Sequence, residues 1–265
     1  MHASIRQRNE WELKSSLALI EPSLRNQYSQ LVIDESDHFM IEKLRCQHTL
    51  QVGLAIRAVN LCKKVPDKPI RIVDIGDSNG THINYINEIL KKCGLHAESL
   101  SVNLDPEAIA RIRKRGLNAL LCRAEELHSE ENIEADLFLS FEVLEHLLDP
   151  ITFLRTLALK APCQYLAVTV PMPMKSRLGL HYVKQKLTGK FFAENTHIFE
   201  LSPRDWDLLF QFSGWEVVES DRYYQYPTNH LLSITKYLWR KIDYDGFYGV
   251  ILQKNLAISN QYQDW

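Results

Sequence analysis

The run Ile72-Val73-Asp74-Ile75-Gly76-Asp77-Ser78-Asn79-Gly80 constrains this chain more than any other feature, together with the later stretch Phe141-Glu142-Val143-Leu144-Glu145-His146-Leu147-Leu148-Asp149-Pro150. A short β-branched run that breaks into an acidic, glycine-bearing turn and then into a helical pattern reads as a buried parallel strand whose carboxyl end receives a nucleoside. Gly76 and Gly80 allow the backbone to approach a ligand where a Cβ would collide. Phosphate-cradling loops carry a lysine at fixed offset or a G-x-G-x-x-G set, and neither occurs here. The ligand expected at this turn is therefore not held by a phosphate.

Around this turn the apolar pattern switches period. Before it, Phe39, Ile41, Leu44, Leu50, Leu54, Ala58 and Leu61 recur at helical spacing, and the pattern stops before Pro66. From Ile70 strands and helices alternate. The reading places strands at about 70–75, 98–103, 118–122, 135–141 and 164–170, a helix at 81–92 and another opened by Pro106. Such alternation predicts an α/β fold with a mostly parallel sheet and helices on both faces. Trp215-Glu216-Val217-Val218 and Phe247-Tyr248-Gly249-Val250-Ile251-Leu252 read as a final strand pair. The expected organisation is a helical extension over 1–65, a ligand-binding domain over 66–255 and a tail over 256–265.

The formal charge of −2 and a pI near 6.6 provide no global field to recruit nucleic acid or an anionic membrane. The five cysteines lack C-x-x-C pairs, so they read as reduced, mostly buried thiols rather than disulfides or a zinc site. No stretch approaches the roughly twenty apolar residues of a spanning helix, and the start lacks a signal-peptide core. A single cytoplasmic enzyme is expected.

Residues from about 70 to 220 resemble the class I S-adenosylmethionine (SAM)-dependent methyltransferases, in which a D-x-G-x-G-x-G loop follows the first strand and an E-H-x-x-D-P stretch follows the fourth. The resemblance implies a Rossmann-like, seven-stranded, mostly parallel sheet whose last strand is antiparallel, with SAM as cofactor. It places Asp74, Gly76, Asp77, Ser78 and Gly80 at the cofactor loop. Asn103, Leu104 and Asp105 would lie at the ribose, Arg123 and Ala124 at the adenine, and Phe141 and Glu142 at the strand exit. Three positions depart from the family: Ser78 stands for its middle glycine, Asn103 for its ribose-binding acid, and Arg123 for its adenine-contacting acid.

Methyl transfer needs little side-chain chemistry beyond alignment, but an alcohol acceptor must lose a proton to a base or to a metal-lowered pKa. Glu142, Glu145 and His146 are spaced so that one helical turn would gather them on a common face. With the later His197, this E-x-x-E-H pattern resembles the metal site of the ubiquinone-pathway O-methyltransferases and of the small-RNA terminal 2′-O-methyltransferases. The resemblance implies Mg2+, or an imidazole-tolerant Mn2+ or Zn2+, on Glu142, Glu145, His146 and His197. Without a metal, His146 or His197 serves as base, Glu142 completes the catalytic set, and His181 and His230 read as surface residues.

Two long connections are the expected substrate elements, at about 171–200 and 224–243. The first carries Lys175, Arg177, Lys184, Lys186 and Lys190 with no acid from Pro171 to Ala193; the second carries Tyr224, Tyr226, His230, Tyr237, Trp239, Arg240 and Lys241. Pro171-Met172-Pro173-Met174 reads as the exit of the fifth strand, lining the route to the methyl group. Basic charge interleaved with aromatics suits an anionic or glycan acceptor, while a solvated helix face gives the same pattern.

The expected function is O-methylation of a hydroxyl on a small molecule or sugar. The alternatives are a metal-dependent enzyme for a vicinal diol or catechol, and a non-catalytic interaction protein that keeps the fold. The N-terminal helices are read as either a lid over the cofactor or a homodimer contact.

Overall fold

The computed structural model describes residues 1–25, 27, 33–62, 68–130, 133–178, 196–225 and 244–262. Its centre is a seven-stranded sheet of order β3-β2-β1-β4-β5-β9-β8. Strands β1 (Ile70–Ile75), β2 (Ala97–Asn103), β3 (Ala119–Leu121), β4 (Leu137–Phe141) and β5 (Tyr165–Pro173) run parallel. Strand β9 (Tyr244–Lys254) inserts antiparallel between β5 and the edge strand β8 (Trp215–Tyr224). The remaining strands, β6 (Arg177–Leu178) and β7 (Phe199–Glu200), form a separate two-residue ladder. The expected strand pair and antiparallel last strand are present.

Strand parity divides the core. In β1, Ile70 and Ile72 face one layer while Val73 and Ile75 face the other, and in β4 Leu137, Leu139 and Phe141 oppose Phe138 in the same way. The first layer is covered by α3 (His38–Leu61) and α4 (Thr81–Lys92). On the other face lie α6 (Pro150–Lys160) and α7 (Pro203–Phe212), where Trp206, Phe210 and Trp215 are fully buried. Asp74 shares parity with Ile70 and Ile72, which sends its carboxylate toward α3 and α4. The order reverses between β1, which continues to β2, and β4, which continues to β5. That reversal opens a crevice at the carboxyl ends of β1 and β4, where both motifs meet.

The helical preface is α1 (His2–Arg8), α2 (Trp11–Ile20) and α3. The middle of the predicted apolar stripe in α3 is buried, but its ends, Phe39 and Leu61, are exposed. Arg45, itself buried, joins the preface to the core. It donates to Leu17 O, Glu21 O and Pro22 O and to the Tyr85 hydroxyl of α4.

Strand β5 runs further than expected. Pro171 and Pro173 lie within it, paired with β9 on one side, because β4 ends opposite Thr169 and leaves the other side without a ladder that would need their missing N–H groups. Of the cysteines, only Cys93 is exposed. Among the described residues, no helix is long and apolar enough to cross a membrane.

Replacing Arg45 with Met removes every one of these donors while keeping the stem. Leu17 O, Glu21 O and the Tyr85 hydroxyl are then left buried, and the protein should lose about 2–4 kcal/mol, read as a lower denaturant midpoint at unchanged slope.

Candidate cofactor and acceptor site

The turn after β1 and the exit of β4 are built against each other. Gly76 has φ +93°, and a Cβ there would sit 2.4 Å from Val143 Cγ2, so only glycine lets the two segments close together. Gly80, at φ +72°, begins α4 under Leu117, whose Cδ1 a Cβ would meet at 2.7 Å. Ser78 has no comparable strain, since among the described residues the non-glycine residues at positive φ are Asn9 and Glu142. Its hydroxyl instead donates to Gln27 O at 2.6 Å, and Thr81 donates to the Gln27 side chain. Arg111 and Arg115 donate to the carbonyls of Ser78 and Asn79.

Beneath the turn lies a buried polar cluster. His82 Nδ1 is 3.3 Å from Asp74 Oδ2, and Ser101 donates to Asp77. Burial pushes the Asp77 carboxyl up to about 6, with Asp74 adding repulsion and His82 and Ser101 opposing it. Glu142 follows β4 in a left-handed conformation at φ 55°, and burial raises its carboxyl to about 8 against the pull of a Thr169 hydrogen bond and His82. Among the described residues Glu142 Oε1 has no hydrogen-bond partner.

The acceptor half follows directly. Val143 breaks from the strand and Leu144–His146 form one 3-10 turn, so the expected helical face joining Glu142, Glu145 and His146 does not exist. A tight turn at the strand exit places them instead. Candidate ligand atoms of Glu145, His146 and His197 lie within 4.8 Å of one another, and Glu142 stands outside that group. The two imidazoles meet edge to face at 4.8 Å. His146 Nδ1 bonds Thr196 O at 2.9 Å, and His197 Nδ1 bonds the Tyr244 hydroxyl at 2.7 Å. The backbone of Ile198 donates to Glu145 O at 2.7 Å, which locks the segment carrying His197 onto the β4 exit.

Glu145 is fully buried, and neither carboxylate oxygen has a hydrogen-bond partner among the described residues. Burial, then the charges of Glu142 and Glu200, push its carboxyl far upward. Glu200 behaves oppositely: burial alone would raise it, but hydrogen bonds with His197, Tyr244 and Arg177 hold it down at about 2.

With this geometry in view, residues 44–220 match the family model of a methyltransferase domain. The chain belongs to the methyltransferase-domain family. Solved structures share the fold at low identity. A putative sarcosine dimethylglycine methyltransferase from Galdieria sulphuraria aligns at TM-score 0.57 and 13% identity, over 91% of this chain and 98% of its own. A SAM-dependent methyltransferase from Archaeoglobus fulgidus aligns at 0.51 and 17%, over 82% and 100%. The [4+2]-cyclase SpnF aligns at 0.54 and 12%, over 78% and 81%. No curated protein matches the chain in sequence. These likenesses establish the Rossmann-like class I methyltransferase fold, and SAM is the cofactor of the methyltransferases that share it.

The β1 turn of this methyltransferase suits a cationic cofactor. Asp74, Asp77 and Glu142 bury three carboxyls around one imidazole, His82. SAM carries a sulfonium and an ammonium that would offset this excess. Elsewhere the expected contacts differ from the family pattern. Both ends of the Asn103 amide are committed, donating to Asp77 O and accepting from Asp105 N, while Asp105 caps α5 (Pro106–Lys114). Leu104 is half exposed, Arg123 reaches Glu125 at 3.4 Å on the surface, and Ala124 is half-buried. Phe141 packs its ring edge-on against His82 at 5.2 Å.

His181, Lys184, Lys186, Lys190, Tyr226, His230, Tyr237, Trp239, Arg240 and Lys241 lie outside the described residues. The sequence reading missed His82, Gln51, Glu200 and Tyr244. His82 and Glu200 had a legible signal, since each stands within a few residues of a motif already singled out.

Asp77 gives this site a measurable pH signature. A carboxyl raised in the fold binds a proton that the unfolded chain has already released, so its contribution to stability falls as pH rises from 3.8 to about 6. Asp77→Asn, which keeps the Ser101 contact, should match the parent below that window and exceed it by about 3 kcal/mol at neutral pH, in urea melts across the range.

Proposed function

We propose that this protein is a SAM-dependent O-methyltransferase acting on a hydroxyl of a small molecule or glycan. The observation that carries the reading is the tautomer of His146. Its Nδ1 donates to Thr196 O at 2.9 Å, which fixes the ring with Nε2 3.8 Å from Glu145 Oε1. An imidazole held in this way at the exit of β4 serves an alcohol as general base. SAM supplies an electrophilic methyl group on a sulfonium. His146 takes the hydroxyl proton at Nε2 as the acceptor oxygen gains the methyl. Asp74, Gly76 and Gly80 shape the cofactor side, and the run of basic residues from Lys175 to Lys190 in the sequence favours an anionic or sugar substrate.

A second reading rests on Glu145. A buried carboxylate with both oxygens unsatisfied, beside two imidazoles pinned at Nδ1, is a donor set that fits a divalent ion, and the 2-His-1-carboxylate arrangement suits Mn2+, Fe2+ or Zn2+ better than Mg2+. The ion would lower the pKa of a bound hydroxyl, as for a vicinal diol or catechol.

Calorimetric titration with SAM tests the first reading. The parent should bind in the micromolar range, Asp74→Ala should lose most of that affinity, and His146→Ala should bind like the parent but turn over hydroxylated acceptors at least a hundredfold more slowly. A parent protein that binds no SAM would point to an interaction protein of the same fold. Metal content after dialysis against chelator, with a thermal shift on adding Mn2+ or Zn2+, tests the second: a shift abolished by Glu145→Gln is expected, and none is seen if no ion binds.

A further inference from the structure

His82 is the only basic side chain inside the buried acid cluster under the cofactor loop, among the described residues, and nothing in the preceding reading uses it. Its surroundings dictate its protonation. Thr169 Oγ1 accepts from Gln51 Nε2 at 3.1 Å and is also hydrogen-bonded to Glu142. Gln51 therefore presents Oε1 to His82 Nε2 at 3.1 Å, and that nitrogen must carry a hydrogen. Nδ1 faces Asp74 Oδ2 at 3.3 Å, where an unprotonated nitrogen would set lone pair against carboxylate. Nε2 is a donor and Nδ1 faces a carboxylate at ion-pair distance, which are the surroundings of an imidazolium.

Every element packed on it agrees. Asp74 comes from β1, Asp77 from the turn and Glu142 from the exit of β4; α3 contributes His48, whose ring lies edge-on at 5.2 Å. Burial and the neighbouring His82 and Arg45 hold His48 well below its usual pKa, so it adds no competing charge. For His82 itself burial works against charging, but the hydrogen bond and charge of Asp74, with Asp77 and Glu142, outweigh it and raise its pKa.

We propose that His82 is a specificity-determining residue: its fixed positive charge beneath the cofactor loop sets how strongly the site prefers the cationic sulfonium of SAM over the neutral thioether of the demethylated product, S-adenosylhomocysteine. The inference rests on the reading of the site as a SAM site. An internal cation weakens the electrostatic advantage of the sulfonium and leaves the parts common to both molecules equally bound. Removing it deepens the negative field and favours SAM selectively.

The test compares dissociation constants for SAM and S-adenosylhomocysteine in the parent, His82→Gln, His82→Lys and Gln51→Leu. In His82→Gln the preference for SAM should rise on the order of tenfold, and His82→Lys, which keeps the charge, should return it toward the parent value. Gln51→Leu removes the acceptor that keeps Nε2 protonated and should shift the ratio in the same direction by less, which decides the matter should His82→Gln not fold. Equal losses for both ligands, with an unchanged ratio in every variant that folds, would falsify the proposal and leave His82 a packing residue. A parent that binds neither molecule defeats the SAM reading instead, and the two failures are distinct.

Discussion

Carboxyl groups buried at the ends of two adjacent parallel strands govern this structure. Asp74 closes β1, Asp77 sits in its turn, and Glu142 leaves β4, all within the layer where the strand order reverses. Burying charge is costly unless it is paired and hydrogen-bonded. The fold answers with His82, Ser101 and the Gln51–Thr169 relay, each drawn from a different element. Helix α3 must therefore lie where Gln51 can reach both His82 and Thr169, and α4 must begin where His82 can reach Asp74. The close approach of Gly76 to Val143 follows from the same demand, since it holds the two acid-bearing segments together.

The preface before the sheet takes part in this arrangement. Arg45 spends its guanidinium on the carbonyls of Leu17, Glu21 and Pro22, which fixes the chain leaving α2. The same segment then reaches the cofactor turn: Glu21 pairs with Arg115, and Gln27 receives Ser78 and Thr81. The N-terminal segment is thus tied by named side chains to the turn after β1. Ser78 also takes on a purpose here, because a glycine could not anchor Gln27.

The sheet was legible because its apolar runs are short, β-branched and bounded by glycine or proline, and because parity alone decides which face each residue takes. The loop glycines were legible for a related reason: positive φ at Gly76 and Gly80 leaves few other choices. The acceptor half was legible as composition only. E-x-x-E-H spacing suggested a helical face, but the backbone enters a left-handed residue at Glu142 and then a 3-10 turn, and local spacing carries no signal for that. Asn103 has a further contact that its sequence position did not signal. Its position in the family pattern pointed to a ribose, while its amide closes the gap between Asp77 O and Asp105 N. Contacts such as Gln51 to Thr169 join residues far apart in sequence and are set by packing alone.

The two halves of the site manage charge in opposite ways. On the cofactor side an imidazole is built in among the carboxyls, which gives them a partner. On the acceptor side Glu200 is ionised and surrounded by Arg177, Tyr244 and His197, while the neighbouring Glu145 has none of these donors. The donors that would have eased Glu145 are spent on Glu200, whose role is to hold His197 and the β7 ladder in place. A carboxyl left without donors between two imidazoles either keeps a proton or waits for a positive charge from outside the chain. Holding Glu200 firmly is thus what leaves Glu145 without those donors among the described residues.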